Sequence, residues 1–282
     1  MKLATINYHQ KEQAAIVTNE GYLLIETINK LEEKQWPTTV FELIIDQTIK
    51  EVTEWYEHSK QIASYEKVEF KETQLAPLYR QPRKIWGIGM NYLDGKPDHV
   101  TAYTDPVSFM KPDTSIIGMN DTIHIPKGST NTTAEAELAI IIGERCKDIN
   151  EDDAQKYIVG YTSALDMTEA DIHAENHRYL TRAKSFDTFL SFGPYLLINE
   201  AEELSELTIS TVLNNHVQFE NSVEHMRYHP HYIVAFHSKV MTLLPGDVIL
   251  TGTPGAVVIR DGDVVEAHVT GNQTLVNVTK QQ

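Results

Sequence analysis

Apolar and polar residues alternate in short runs along the first 25 positions. Residues 2–8, 14–17 and 22–25 each read as a β-strand bounded by polar turns. A longer period follows. Phe41, Ile45, Ile49, Val52 and Tyr56 recur at helical spacing and predict one helix across residues 41–56. Thr39 and Glu42 stand at capping-box spacing at its start. Residues 75–83 contain Pro77 and Pro82, which forbid a continuous helix and mark a connection. A new apolar run opens at Ile85. The pattern therefore separates a small unit, residues 1–74, from a larger one, residues 75–282.

The larger unit is strand-rich. Asn150 followed by Glu151, Asp152 and Asp153 predicts a helix start, with Gly160 as its stop. A second helix is expected across residues 231–243, with Pro230 near its first turn. Pro245-Gly246-Asp247 and Asp261-Gly262-Asp263 read as turns leading into strands at 248–250 and 264–269, and residues 275–278 form a last strand. Strands and helices do not alternate regularly enough for a doubly wound parallel sheet, so the fold class is α+β and β-rich. Trp36, Trp55 and Trp86 are expected in the core.

Composition narrows the function. The chain has 282 residues, a formal net charge of −16 and one cysteine, Cys146. The negative charge argues against nucleic acid and anionic membrane surfaces as partners, because both are bound by basic patches. One cysteine permits no intrachain disulfide. The longest apolar runs, such as 138–142 and 232–236, reach five residues, far short of the roughly 20 a spanning helix needs. The first residues turn polar at once, without a signal-peptide core, so a cytoplasmic location is expected.

The chemistry concentrates in Glu135-Ala136-Glu137-Leu138-Ala139. On a strand, Glu135 and Glu137 point to the same side, at the edge of an apolar run. Two such carboxylates repel each other, and a hard divalent cation would relieve both repulsion and desolvation. The bland alternative is a solvated strand end. Asp166, closing the run Gly160 to Asp166, is the candidate third ligand. Lys184 is a candidate point charge for an anionic substrate oxygen, or an ordinary surface lysine. Leu250-Thr251-Gly252-Thr253-Pro254-Gly255 brings small residues together, so backbone amides and hydroxyls there would approach a carboxylate closely. His173 and His177 stand at i, i+4 spacing and, with Glu169, form a candidate transition-metal pair. His225, His229, His231 and His237 read as surface residues.

Together these stretches resemble the fumarylacetoacetate hydrolase family. The resemblance is carried by Lys84-Ile85-Trp86-Gly87-Ile88-Gly89-Met90-Asn91-Tyr92, Phe109-Met110-Lys111-Pro112, the Glu135-to-Ala139 segment, Gly160-Tyr161-Thr162 through Asp166, Lys184-Ser185-Phe186-Asp187-Thr188 with Gly193-Pro194, and residues 241–254. It implies a mixed β-sheet roll with a small N-terminal α+β domain, and usually a homodimer. It implies a divalent metal, Mg²⁺ or Mn²⁺ with Ca²⁺ as an alternative, held by Glu135, Glu137 and Asp166. It further implies a small 2-oxo or β-dicarbonyl acid as substrate, contacted by Asn91, Tyr92, Lys111 and Thr253, with Lys184 supporting enolate charge.

The sequence departs from the family at its water-activating pair. The usual histidine is Gly95 and the usual glutamate is Asp98; His99 is the nearby imidazole that would substitute if it reached the site. Ala170 stands where an arginine is common and Leu165 where an asparagine is common. The stretch 255–260 replaces a glycine-rich turn. Hydrolysis needs an activated water, whereas decarboxylation or tautomerisation needs mainly an electron sink, so the latter two are favoured. The alternative is a catalytically impaired member that persists as a ligand-binding or assembly protein.

Overall fold

A computed structural model describes residues 1–71, 75–95, 105–198 and 204–282. The chain begins with β1 (Lys2–Tyr8), β2 (Lys11–Val17) and β3 (Tyr22–Leu24), then α1 (Ile25–Glu32), α2 (Val40–Ile45) and α3 (Ile49–His58). The larger part follows with β4 (Ile85–Gly89), β5 (Val107–Met110), β6 (Ile116–Ile117), β7 (Thr122–Ile125), β8 (Thr132–Ile142) and β9 (Ile158–Glu169). Next come α4 (Ala170–Glu175), α5 (Leu180–Lys184), β10 (Leu190–Phe192), β11 (Tyr195–Leu197), β12 (Thr208–Leu213) and β13 (His216–Ser222). The chain closes with α6 (Pro230–Val240), β14 (Val248–Leu250), β15 (Ala256–Val258), β16 (Val264–Val269) and β17 (Leu275–Gln281). The result is a β-rich α+β fold, as the sequence predicts.

Two sheets hold these strands. The larger runs β3-β2-β1-β11-β9-β8-β14-β4-β5, with β6, β10 and β15 attached off that path; the smaller runs β13-β12-β16-β17-β7. The N-terminal strands continue the large sheet, because β1 pairs antiparallel with β11, Lys2 opposite Leu197. Residues 72–74, where the expected boundary falls, lie outside the described residues.

Three local expectations are corrected. The stripe at 41–56 forms two helices, α2 and α3, instead of one. Gln47 adopts φ 62° at the break, and its side-chain amide donates to the Gly143 carbonyl at 2.6 Å, so a bond to the sheet region fixes the interruption. Thr39 caps α2 as predicted, accepting from the Glu42 N–H at 3.2 Å. The second correction concerns Gly160, which stops no helix. Residues 151–157 form a 3₁₀ helix, and Gly160 lies inside β9, where a Cβ would meet the Leu197 carbonyl at 2.2 Å. The third is His237, which lies on the buried face of α6, with Nε2 bonded to the Ser108 hydroxyl at 2.8 Å.

The two longest strands, β8 and β9, divide the interior. Ala134, Ala136, Leu138, Ile140 and Ile142 of β8 pack into one core cluster. Ala139 and Ile141 face the other side and join the cluster built with α2, α3 and the N-terminal strands. Glu135 and Glu137 share that second face by the two-residue strand period. One face of one strand thus runs from acids to hydrocarbon, and the acids sit where the N-terminal helices no longer cover it.

Candidate functional site

Strand register builds the site. Glu135 pairs directly with Asp166 across β8 and β9, and Glu137 pairs with Ala164. Opposed residues in an antiparallel pair point to the same face, so the three acids end on one side. One carboxylate oxygen from each lies within 4.8 Å of the others. Glu137 and Asp166 are fully buried, and Glu135 is partly exposed.

Two lysines answer this charge. Lys184, the last residue of α5, places its ammonium 2.8 Å from Glu135 Oε2 and 2.5 Å from Asp166 Oδ2. Burial lowers its proton affinity, but Asp166, Glu135 and Glu137 together hold its pKa well above the ordinary lysine range. Its ammonium also lies 4.5 Å from the centre of the Phe109 ring. Lys111 donates to Asp166 Oδ1 at 2.7 Å, to the Met167 carbonyl at 3.3 Å and to the Lys184 carbonyl. Burial first, and the like charge of Lys184, keep its pKa below the usual lysine value against the pull of Asp166. Counted formally, three carboxylates against two ammonium groups leave the cluster one charge negative.

Glu137 feels that excess. Burial, then Asp166 and Glu135, push its carboxyl well above the ordinary range, while the Gly252 N–H, donating to Oε2 at 2.6 Å, opposes the shift. Gly252 takes φ +93°, and a Cβ there would meet the Asn91 Cβ at 2.9 Å and the Ile88 carbonyl at 3.0 Å. Only glycine lets this amide reach the acid without strain. Asn91 holds the loop in place. Its amide nitrogen donates to the Tyr228 and Thr251 carbonyls at 3.0 and 2.7 Å, and its oxygen accepts from the Tyr228 N–H at 2.8 Å. Tyr92 brings a buried hydroxyl without a hydrogen-bond partner among the described residues. Burial and the nearby Glu137 raise its pKa well above the phenol range, so it stays protonated. The donor set fits a hard divalent cation: three converging carboxylates, all oxygen, two of them buried and together under-neutralised.

The sequence profile described as fumarylacetoacetate (FAA) hydrolase C-terminal matches residues 84–279. The chain belongs to the fumarylacetoacetate hydrolase family. The mitochondrial oxaloacetate tautomerase of Xenopus laevis is 36% identical over 206 residues, covering 69% of this chain and 64% of that protein. The solved fumarylacetoacetate hydrolase of Exiguobacterium antarcticum superposes with a TM-score of 0.84 at 26% identity, covering 100% of each chain. The 5-carboxymethyl-2-hydroxymuconate delta-isomerase of Mycobacterium smegmatis superposes with a TM-score of 0.78 at 28% identity, again covering 100% of each chain. By name these relatives are a tautomerase, a hydrolase and an isomerase. The family assignment made from motifs is thereby borne out.

The structure brings Glu135, Glu137, Asp166, Lys184 and Lys111 into one cluster, with Lys184 buried where a surface lysine was the alternative. Lys111 spends its ammonium on Asp166 and two carbonyls. Asn91 bonds its amide to backbone groups. Thr253 lies in the loop after β14, its hydroxyl bonded to the Gly255 backbone. The loop was expected to bring backbone amides close to a carboxylate, and the Gly252 N–H donates to Glu137 Oε2 at 2.6 Å. Asp98 and His99 lie outside the described residues. His173 and His177 do not share a helix face, because α4 ends at Glu175; their rings still meet edge to face at 4.8 Å. Phe109 and Thr168, whose hydroxyl donates to Glu135 at 3.3 Å, carry no chemical signal in the sequence, since any packing phenylalanine or threonine looks the same. No helix among the described residues is long and apolar enough to cross a membrane.

Proposed function

We propose that this protein is a divalent-metal-dependent enzyme that interconverts the keto and enol forms of a small 2-oxo diacid of the oxaloacetate type. The observation that carries the reading is the cluster of three carboxylates, one charge short of neutrality, with the Lys184 ammonium beside it. The relationship to a named oxaloacetate tautomerase supports it, and so does Gly95, which cannot activate water at the position where hydrolytic members usually carry a histidine.

Glu135, Glu137 and Asp166 would hold the cation, Mg²⁺ or Mn²⁺, which when bound supplies positive charge against a developing enolate. A divalent cation turns a cluster of charge −1 into one of +1, matched to an anionic substrate. Lys184 is placed to donate a hydrogen bond to the enolate oxygen as charge builds there. Lys111 orients Asp166 through its hydrogen bond to Oδ1. The Gly252 amide fixes Glu137, and the Thr253 loop and the Tyr92 hydroxyl offer donors to the substrate's carboxylate end. Ala170 leaves that end without a strong cation at the usual place, which favours a compact substrate. A homodimer and a cytoplasmic location belong to the same proposal; sedimentation of the purified protein checks the first.

The test is an enol–keto assay on oxaloacetate with Mg²⁺ or Mn²⁺, beside acylpyruvate cleavage. We expect tautomerisation that disappears on chelation and falls at least about 10²-fold in Glu137→Gln. Cleavage of acylpyruvates without tautomerisation would assign the site to C–C hydrolysis. Tight oxo-acid binding without any product would identify a catalytically impaired binding protein.

A further inference from the structure

Tautomerisation moves a proton between carbon and oxygen, so the site needs a group that exchanges one near neutral pH. The residues assigned above do not serve. Glu135, Glu137 and Asp166 are committed to the cation, Lys111 to Asp166, and Asn91 to backbone groups. Lys184 is bonded to Glu135 and Asp166, Tyr92 is assigned to the substrate's carboxylate end, and Asp98 and His99 lie outside the described residues. His173 occupies a different position. Helix α4 leaves the end of β9 directly, three residues beyond Asp166, and packs on β8, which carries Glu135, and on α5, which ends in Lys184. The half-buried imidazole makes no hydrogen bond among the described residues, and its described ring contact is with His177. His231 and His237 are affected by other groups, Glu151 and His229 for one and the Ile233 carbonyl for the other.

We infer that His173 is the catalytic base of this protein, set beside the carboxylate–lysine cluster by α4 to move the proton of the oxo-acid. The inference rests on the proposed tautomerase reading. In the step, an imidazole nitrogen takes a proton from C3 of the keto acid. The C–H electron pair becomes the C2=C3 bond, and the carbonyl π pair moves onto the C2 oxygen. The imidazolium then gives the same proton to that oxygen, so the enol leaves and the imidazole is restored without any co-reactant.

The surroundings suit a base that must be neutral to act. Burial, His177 and Lys184 lower the proton affinity of His173, and Glu135 opposes them. The charged groups carried by α4 and by the elements packed against it are Glu135 and Glu137 on β8, Asp166 and Glu169 on β9, Lys184 and Arg182 on α5, Asp171 and Glu175 on α4 itself, and His177 and Arg178 in the α4–α5 connection.

The experiment compares the full-length wild type with His173→Gln and His173→Ala in Mg²⁺. We expect kcat for oxaloacetate tautomerisation to fall about 10²- to 10³-fold in both variants. The acid limb of the wild-type pH profile should vanish, and added imidazole should restore part of the Ala variant's rate. A second reading needs no turnover. Histidine side-chain NMR of the Mg²⁺-loaded wild type is titrated with oxalate, a rigid enolate mimic, and the His173 resonances should shift at saturation while His237 stays fixed. Active variants with an unchanged profile, or unmoved His173 resonances, overturn the inference. A wild type inactive on every oxo-diacid instead sinks the tautomerase reading, and the NMR titration still decides whether this imidazole meets the ligand.

Discussion

At the scale of single residues, Lys184 and the proposed metal ion would compete for the same carboxylates. Its ammonium sits between Glu135 and Asp166, the oxygens a cation would use. Replacing it by methionine removes a positive charge from the ligand set while keeping much of its bulk. Lys184→Met should therefore bind Mn²⁺ at least as tightly as the wild type, read by electron paramagnetic resonance titration, while kcat falls about 10²- to 10³-fold. Loss of both together would mean that the lysine builds the metal site instead of serving the reaction. A residue's environment decides such roles: Lys111 and Lys184 are both buried lysines bonded to Asp166, yet Lys111 also donates to two backbone carbonyls.

Elements matter where they hold a group at one distance. The loop after β14 carries the Gly252 amide to Glu137, and Asn91 at the end of β4 ties that loop down through the Thr251 carbonyl. Gly252→Ala would put a Cβ within 2.9 Å of Asn91 in a left-handed conformation, a strain of about 1–3 kcal/mol. We expect the loop to shift and the Mn²⁺ dissociation constant to rise about tenfold or more, since removing a ligand's supporting hydrogen bond typically costs 10–100-fold in affinity. An unchanged constant in a folded variant would deny the amide that role. The same scale explains the divided helix α2–α3. The apolar stripe from Phe41 to Tyr56 is helical in period, but the Gln47 side chain bonds to Gly143, and this contact with a residue distant in sequence interrupts the helix.

For the whole molecule, the metal site is linked to stability. Burial and like charge raise the Glu137 pKa in the folded, metal-free chain. A carboxyl raised on folding stabilises the fold while it is protonated, and that contribution is lost as pH rises through the folded value. The metal-free protein should thus weaken as pH rises above the ordinary carboxylate range, and Mg²⁺ should offset this loss. At 100 times its dissociation constant a ligand adds about 2.7 kcal/mol. Thermal melts with and without Mg²⁺ should diverge as pH rises; a gap independent of pH would mean that Glu137 is not a ligand.

The short N-terminal strands, the cap at Thr39, the acidic pair at 135 and 137 and the family motifs were all legible in the chain, because each depends on residues close together in sequence. A two-residue period already puts Glu135 and Glu137 on one side. What lay beyond the sequence depends on residues brought together from far apart. The partner of Glu135 is fixed by the pairing register of two strands 30 residues apart, Gly160 is required by the approach of β11, and the duties of Lys111 and Asn91 follow from which carbonyls happen to surround them. Local chemistry determined which residues were able to carry charge and form strands; desolvation and long-range register, which exist only once the sheets close, decided which of them bind and which merely support.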